Sequence, residues 1–450
     1  MSKRLILILA LAFVVGITFA AYAEVQNVKV SGDINMMGIT RNNFNLTNGS
    51  AGDKRSDNEN NILSQIRVRI DADLTDNVMT TIRLINERSW NTETTATSDI
   101  DLDLAYVTLK EFLYSPLSLT LGRQELRYGN GLIIGNARNY TGAVTNGVPT
   151  DLTERKAFDG IKAVLNYDPL VIDLIAAQIV KTDALRNQDT DLLGVNAKYE
   201  IDKTTSAEAY FFNKQNRNKG LSTVATDRNN KADQVYVIGG LVSAEPIANL
   251  KASLEAAYQF GEYNLAGQAM RDRNAYAIQA KANYALPFAK TKKWSPAVGA
   301  QYTYLSGEKN GEAQNAWDQM YYDQALNNIV YAIVPFTNLQ AINLMGSMKP
   351  VDDITVMLNY GYYSRAQKGT ADMVAPYNNS ASNSYGTYAM TDNKFLGQEL
   401  DLTATYNYTE DVQFGLTAGW FKPGNAFSKG TTTLGQHDAA QLIGSMKVTF

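Results

Sequence analysis

Strict alternation of apolar and polar residues recurs along most of the chain. In segment 28–38 (VKVSGDINMMG), one side carries Val, Gly, Ile and Met, while the other carries Lys, Ser, Asp and Asn. The pattern returns near residues 62–71, 100–106, 193–201, 254–260, 276–284 and 400–408. A period of two is that of a β-strand with one apolar and one polar face. The sequence therefore predicts an all-β fold.

The connections between these strands are of two kinds, which alternate. Short connections carry turn residues at 76–77, 167–169, 202–203, 245–246, 350–353 and 409–411. Long connections are polar and often rich in Asn or Gly, at 41–61, 88–98, 127–156, 182–190, 214–232, 264–273, 307–338, 365–394 and 422–437. Nine long loops separated by eight short turns require about 18 strands, with both chain ends on the short-turn side.

Separation of short and long connections distinguishes two classes of β-protein. A soluble sandwich or propeller has no reason to place short turns at one end, whereas an outer-membrane barrel has short periplasmic turns and long extracellular loops. Closure also leaves no unpaired strand edge in lipid. The last strand ends in Phe450, which is typical of bacterial outer-membrane barrels. We predict a transmembrane antiparallel β-barrel in a Gram-negative outer membrane, with a soluble all-β fold as the alternative.

The N-terminus has the form of a secretory signal peptide. Lys3 and Arg4 precede an apolar run from Leu5 to Phe19, which is followed by the small-x-small sequence Ala21-Tyr22-Ala23. An uncleaved membrane anchor is the alternative, but the run is shorter than the roughly 20 residues of a spanning helix. No linker composition divides the remaining chain. We therefore predict a signal peptide at residues 1–23 and a single barrel domain at residues 24–450.

Charge and composition argue against several functions. The 41 basic and 45 acidic residues give a formal charge of −4, which the loss of Lys3 and Arg4 would make −6, so no nucleic-acid partner is indicated. There is no cysteine, and nothing points to a cofactor. The single histidine, His437, would have only Ser428 and Asp438 nearby for a hydrolytic triad, and the many acids single out no catalytic pair. We do not expect an enzyme.

Charged residues on the predicted strands must face the inside of the barrel. An Arg on the lipid face costs roughly 2 to 4 kcal/mol at the membrane midplane, so Arg67, Arg69 and Arg83 are expected to point inward. There they either pair with acids on neighbouring strands or contact a solute. The loop at 127–156 carries more arginines, and it is either solvated outside or folded into the barrel. Residues 316–333 have the pattern of an amphipathic helix within another long loop.

Three short motifs resemble one family of outer-membrane proteins. LGRQELRYGNGLIIGN, RKAFDGIKAVL, and GQELDLTATYNY with GWFKPGNAF are similar to motifs of the alginate export family. The resemblance implies an 18-stranded barrel with a narrow, arginine-lined pore that passes an anionic polysaccharide. Residue by residue, it carries over to Arg123 and Gln124 (the GRQ motif), Arg155, Phe158, Asp159 and Gly160 (R-x-x-FDG), and Pro423 and Gly424 in the last hairpin.

The predicted function is a passive channel for polar or anionic solutes, such as an acidic polysaccharide or oligosaccharide. The predicted inward faces mix both signs of charge, which indicates a mixed-charge filter with an arginine side. The candidate pore-lining residues are Arg67, Arg69, Arg83, Arg123, Gln124, Arg127, Arg155, Asp101, Asp103, Lys162, Glu399 and Asp401. Expected partners are outer-membrane lipid, lipopolysaccharide and the solute. The alternatives are a non-transporting scaffold or adhesin barrel, or a sheath for a periplasmic partner.

Overall fold

The structure is a computed structural model. It describes residues 27–46, 58–90, 100–137, 147–181, 189–217, 232–264, 270–287, 294–309, 312–369, 373–377, 386–427 and 437–450. The predicted signal peptide at 1–23 therefore lies outside the described residues, as does Ser428. Among the described residues, no helix is long and apolar enough to cross a membrane.

Twenty β-strands account for most of the described chain. They are β1 (Asn27–Asn42), β2 (Asn58–Thr75), β3 (Val78–Ser89), β4 (Asp101–Leu109), β5 (Leu117–Gln124), β6 (Phe158–Asn166), β7 (Leu170–Val180), β8 (Thr190–Glu200), β9 (Thr205–Asn216), β10 (Asp233–Ile247), β11 (Leu250–Tyr263), β12 (Arg271–Ala285), β13 (Ala297–Leu305), β14 (Leu339–Val351), β15 (Ile354–Ser364), β16 (Met373–Val374), β17 (Thr387–Tyr388), β18 (Phe395–Asn407), β19 (Val412–Pro423) and β20 (Ala439–Thr449). The short pair β16 and β17 forms a separate hairpin.

The other eighteen strands form one closed antiparallel barrel. Each strand pairs with the next along the chain, and β1 pairs with β20 from Asp33 opposite Thr449 to Asn42 opposite Ala440. Backbone hydrogen bonds of 2.8 and 3.0 Å join Gly32 to Phe450 at this seam. Closure pairs every barrel strand on both sides, as lipid requires of a spanning sheet. The predicted barrel class and the predicted number of strands are confirmed.

Connections between barrel strands alternate as the sequence predicts. Nine loops lie at one end and eight connections at the other, which also holds both chain ends and which we call the periplasmic end. The periplasmic connections are no longer than the loops, with one exception, residues 286–296 between β12 and β13, which exceed the loops at 181–189 and 264–270 in length. Two predicted turns are displaced. Glu245 and Pro246 still belong to β10, so the chain turns at residues 248–249, and Pro350 still belongs to β14.

Apolar side chains face outward along the strands. Ile70, Leu254, Ile342 and Leu402 are among the many large apolar residues that are exposed at positions alternating with buried or polar ones. An exposed apolar band is the surface that a barrel presents to lipid. Tyr258, Tyr362, Tyr406 and Tyr408 are also exposed, as expected for aromatic girdles, whereas Tyr363 is fully buried inside the barrel.

Two long loops fold into the lumen, the space enclosed by the barrel. Loop L3 comprises residues 125–157, and loop L7 comprises residues 306–338. Both contribute to one large apolar cluster within the barrel, which includes Leu132 and Ile133 of L3 and Trp317 and Tyr321 of L7. The predicted helix over residues 316–333 is wrong in extent, because only Asn328–Ile333 (helix α1) is α-helical. The core of this protein therefore consists largely of loop residues packed inside the sheet.

Candidate functional site: two loops inside the barrel

The tip of L3 is fixed to the barrel wall by two carboxylates. The backbone N–H of Gly129 donates to Glu208 of β9 at 2.7 Å, and that of Asn130 donates to Glu255 of β11 at 2.9 Å. Tyr210 donates to the other oxygen of Glu255 at 2.8 Å. Hydrogen bonds to charged acceptors are among the stronger ones in proteins, so the wall holds the tip in place.

The returning end of L3 is attached to the opposite side of the barrel. Glu87 of β3 accepts from the Thr153 hydroxyl and the Glu154 backbone N–H, each at 2.7 Å, and from Nε of Arg155 at 3.1 Å. Asp151 pairs with Arg41 of β1. L3 therefore crosses the lumen from β9 and β11 to β1 and β3.

L7 is held by two further wall carboxylates on one strand. Glu399 of β18 accepts the backbone N–H groups of Ile329 and Val330, both at 2.7 Å. Asp401, two residues further along β18, accepts from the backbone of Asn328 at 2.9 Å. These N–H groups belong to the first turn of α1, which lacks acceptors within its own helix. The two acids therefore cap α1 and attach it to the wall.

L3 and L7 meet in the middle of the lumen. Ile134 and Tyr321 form a parallel β-bridge between the two loops. Asp323 of L7 accepts from two cations of L3, Nη1 of Arg127 at 2.5 Å and Nζ of Lys156 at 2.9 Å. Two positive charges thus share a single carboxylate. The side chains of Arg127 and Lys156 remain 51% and 35% exposed, so both are available to a solute.

These loops and the wall enclose a cavity of about 420 Å³, which we call the L3–L7 cavity. Its charged lining comes from the loops, and its wall side is formed by polar and apolar residues of β1, β2 and β20. The lining residues are Asn35, Met37, Gln65, Arg127, Asn136, Thr150, Asp151, Leu152, Thr153, Glu154, Lys156, Asp323, Ala325, Asn328, Tyr331, Gln441 and Ile443. Its volume lies within the usual range of small-molecule sites.

Arg67 and Arg69 of β2 and Arg83 of β3 are engaged in ion pairs. Arg67 binds Asp33 of β1 through Nε at 3.0 Å and also binds Glu154 of L3 at 3.1 Å. Arg83 pairs with Asp103 at 2.6 Å and also with Glu125. Arg69 pairs with Asp71 of its own strand at 2.7 Å. Arg67 and Arg83 therefore join neighbouring strands and hold L3, whereas the ion pair of Arg69 lies within β2.

Several candidate residues do not reach the lumen space. Glu399 and Asp401 are only 1% and 4% exposed because they are covered by L7. Asp103 and Arg155 are also buried in ion pairs, the latter with Glu87 and Asp101. Gln124 is buried and donates to backbone oxygens of Thr120, Gly122 and Gly160. The structure makes these five residues parts of the scaffold, which corrects the expectation that they line the pore.

Arg123 lies on the outer face of the barrel instead of the inner one. It alternates with the buried residues Thr120 and Gln124 and shares its face with the exposed Leu121. There it pairs at 2.9 Å with Asp159, whose side chain is 61% exposed. Arg123 is therefore not pore-lining. Of the remaining candidates, Arg127 and Asp101 are accessible from the lumen, and Lys162 is half-buried on the inner face of β6.

Sequence reasoning missed several of the acids, and the lysine, that position the loops. Lys156 and Glu154 lie beside the arginine motif, and Glu208 and Glu255 follow the inward period of β9 and β11, so the alternation could have identified them. Asp323 lies in a part of L7 without regular secondary structure, where no sequence pattern could have identified it. Among the described residues, no cluster of three or more acids or histidines is arranged to hold a metal ion.

Comparison with known proteins agrees with this architecture. A model of the alginate export family matches residues 32–439. The chain belongs to the alginate export family. No curated protein matches it significantly. This alginate export family member is an outer-membrane β-barrel, and its exposed apolar band contacts the membrane lipid.

Solved structures of Pseudomonas aeruginosa channels share the fold. OccK11 (OpdR) superposes with a TM-score of 0.56 at 11% identity, covering 95% of this chain and 97% of that chain. OpdL superposes with a TM-score of 0.57 at 11% identity, covering 94% of this chain and 99% of that chain. OpdK with vanillate superposes with a TM-score of 0.51 at 10% identity, covering 95% of this chain and 100% of that chain. At these identities the likeness concerns the porin-like barrel alone.

Proposed function

We propose that this protein is a passive outer-membrane channel for polar anionic solutes, and that the L3–L7 cavity sets its selectivity. The observation that carries the proposal is the pairing of Arg127 and Lys156 with the single carboxylate of Asp323. Two cations on one anion leave an excess positive charge at the point where both loops narrow the lumen. A narrow passage with an excess of one charge favours counter-ions.

The excess positive charge is local to Asp323 and its two cations. Nearby, Asp151 is paired with the buried Arg41, and Glu154 shares Arg67 with Asp33. The exposed guanidinium of Arg127 offers a planar fork that matches a carboxylate, and Lys156 adds a mobile point charge. A solute carboxylate would therefore find two donors on the lining of the cavity. The volume of about 420 Å³ suits a small solute or a short length of a polymer.

Family membership supports transport of an acidic saccharide as the finer assignment. Three wall acids are consistent with it, because Glu399, Asp401 and Glu255 accept hydrogen bonds from loop amides and are covered by them. Their charges are thus separated from the path of the solute. The mixed charge that the sequence indicates is thus partly sorted in space: these three wall acids lie behind the loop amides, whereas Arg127 and Lys156 line the cavity together with Asp151, Glu154 and Asp323.

Conductance in planar bilayers tests this proposal directly. The purified full chain is expected to form channels, and a salt gradient should give a reversal potential that favours chloride over potassium. A preference for potassium would overturn anion selectivity. Absence of conductance at any voltage would overturn transport itself and would favour the scaffold function. Trigalacturonate, a short uronic acid oligomer, should interrupt the current, whereas neutral maltotriose of equal length should interrupt it much less.

A further inference from the structure

A second polar cavity lies in the periplasmic half of the lumen, on the far side of the L3 tip from the L3–L7 cavity. It has a volume of about 530 Å³, and Asn130 of L3 borders it. The rest of its lining comes from β8 to β12 and from the periplasmic turn between β8 and β9. The lining residues are Lys198, Glu200, Lys203, Thr204, Thr205, Ser206, Ser243, Ala244, Glu245, Lys251, Ala252, Ser253, Lys281 and Asn283. We call this surface the lysine–serine wall.

The register of the sheet aligns hydroxyl groups across this wall. Ser206 of β9 lies directly opposite Ser243 of β10, and Ser243 lies opposite Ser253 of β11. Ser253 in turn lies opposite Lys281 of β12. Adjacent strands are about 4.8 Å apart, so the row presents three hydroxyls and one ammonium at regular intervals. Hydroxyls both donate and accept, which suits a polyhydroxylated ligand.

The charge of the wall is positive. It contains four lysines and two glutamates. Lys198 is paired with Glu200 at 2.7 Å, and Glu245 accepts the backbone N–H of Asn249 at 3.0 Å. Among the described residues, Lys203, Lys251 and Lys281 form no ion pair within 4.0 Å. Four lysines against two glutamates leave a net positive charge on the wall.

We propose that the lysine–serine wall is a separate binding site for polyhydroxylated solutes that carry a carboxylate, and that it loads them from the periplasmic side. The site rests on the proposed channel function but uses none of the residues of the L3–L7 cavity. Lys251 and Lys281 bind the carboxylate, and the serine row binds hydroxyls. Because the site lies in the periplasmic half of the lumen, the channel binds such solutes more tightly at its periplasmic opening than at its extracellular opening.

A short path connects this wall to the L3–L7 cavity. The carbonyl of Asn130, at the border of the wall, accepts a hydrogen bond from Nη2 of Arg127 at 3.1 Å. Arg127 also lines the L3–L7 cavity. A carboxylate leaving Lys281 therefore meets Arg127 as the next cation around the L3 tip. Successive cations allow an anion to move without full loss of its contacts.

Single-channel block from each side tests the loading site. The chain has no cysteine, so a Cys introduced at Asn77 in the β2–β3 turn allows biotinylation and marks the periplasmic face by streptavidin. Trigalacturonate is added to one chamber at a time, and the association rate is taken from the frequency of current blocks. In the wild type we expect more frequent blocks when trigalacturonate is added on the periplasmic side than when it is added on the extracellular side. In the double variant Lys251→Gln/Lys281→Gln, the frequency of blocks from the periplasmic side should be lower than in the wild type by a factor of about ten or more.

The matched control is Lys29→Gln. Lys29 lies on the inner face near the periplasmic end of β1, on the side of the barrel opposite the lysine–serine wall. Its replacement therefore removes a positive charge from the same half of the lumen but not from the wall. This control should stay within about twofold of the wild type. An unchanged block frequency in the double variant, or an equal loss in the control, would overturn the site. If trigalacturonate blocks the wild type from neither side, the proposed function itself is contradicted.

Discussion

Lys156 of L3 and Asp323 of L7 form an ion pair with 2.9 Å between Nζ and Oδ1. The residues are 167 positions apart in the chain, and each lies in a loop that is anchored to a different part of the wall. Arg127 binds the other oxygen of the same carboxylate. This contact therefore joins the two inward loops and also lines the space between them. Changes here should alter selectivity more than folding.

Replacing both Arg127 and Lys156 with Gln should reduce anion selectivity. The double change removes two exposed positive charges from the L3–L7 cavity and leaves Asp323 unpaired. We expect the chloride to potassium permeability ratio to fall by at least about twofold, measured as the reversal potential in a salt gradient. Asp323→Asn should shift the ratio the opposite way. Equal ratios in all three proteins would place the selectivity elsewhere.

Replacing Glu399 with Gln should release α1 from the wall. The backbone N–H groups of Ile329 and Val330 bind different oxygens of Glu399, so the amide would leave one of them with a weaker carbonyl acceptor and the other facing an NH2 group that cannot accept, at a cost of about 1 to 3 kcal/mol. We expect larger and noisier single-channel currents as L7 moves. Glu410→Gln, in the exposed turn between β18 and β19, is the matched control. Identical current noise in the two variants would show that the carboxylate does not hold L7.

Arg155 and Arg123 should respond differently to replacement by Ala. Loss of Arg155 leaves the fully buried Glu87 without its cation, which costs about 3 to 5 kcal/mol of unfolding free energy. Arg123 is a surface residue, so its loss should cost at most about 1 kcal/mol and leave the reversal potential unchanged. Urea unfolding in detergent and bilayer recordings measure the two effects. A shifted reversal potential in Arg123→Ala would contradict its outward placement.

Gly129 at the tip of L3 should not tolerate a side chain. Its φ of +57° is strained for other residues, and an added Cβ would lie 2.3 Å from Oε1 of Glu255. We expect Gly129→Ala to displace the tip from β9 and β11 and to change the conductance. Gly38→Ala serves as the control, because nothing lies within 4 Å of its added Cβ. Equal conductance of the two variants would contradict a fixed tip.

Glu308 in L7 should make local stability depend on pH. Burial raises the pKa of its carboxyl above the ordinary value, and Oε2 has no hydrogen-bond partner among the described residues. A raised pKa in the folded state favours the protonated form, so its stabilising contribution is present at low pH and is lost as pH rises through that pKa. Amide hydrogen exchange of residues 306–320 should therefore be slower in Glu308→Gln than in the wild type at pH 8. At pH 4 the two should match, and equal exchange at both pH values would contradict the prediction.

The strands and their faces could be predicted from local pattern. A strand in a barrel has lipid on one side and the lumen on the other, and successive side chains point to opposite sides. The polarity of each residue therefore indicates which side it faces. The inward direction of Arg67 and the outward direction of Leu254 follow from this alone. Arg123 was misassigned because its arginine motif was given more weight than the alternation, which places it with Leu121.

The sequence by itself determined the barrel, the number of its strands and the ends at which loops and turns lie, because these depend on contacts between neighbouring strands. Only the tertiary structure decided that L3 and L7 fold inward and which acids hold them. Glu255 meets the L3 tip 125 residues away, and Glu399 meets α1 about 70 residues away. Local periodicity contains no information about such contacts. The structure thus separates the buried acids that fix the loops from the exposed cations, Arg127 and Lys156, that face the solute path.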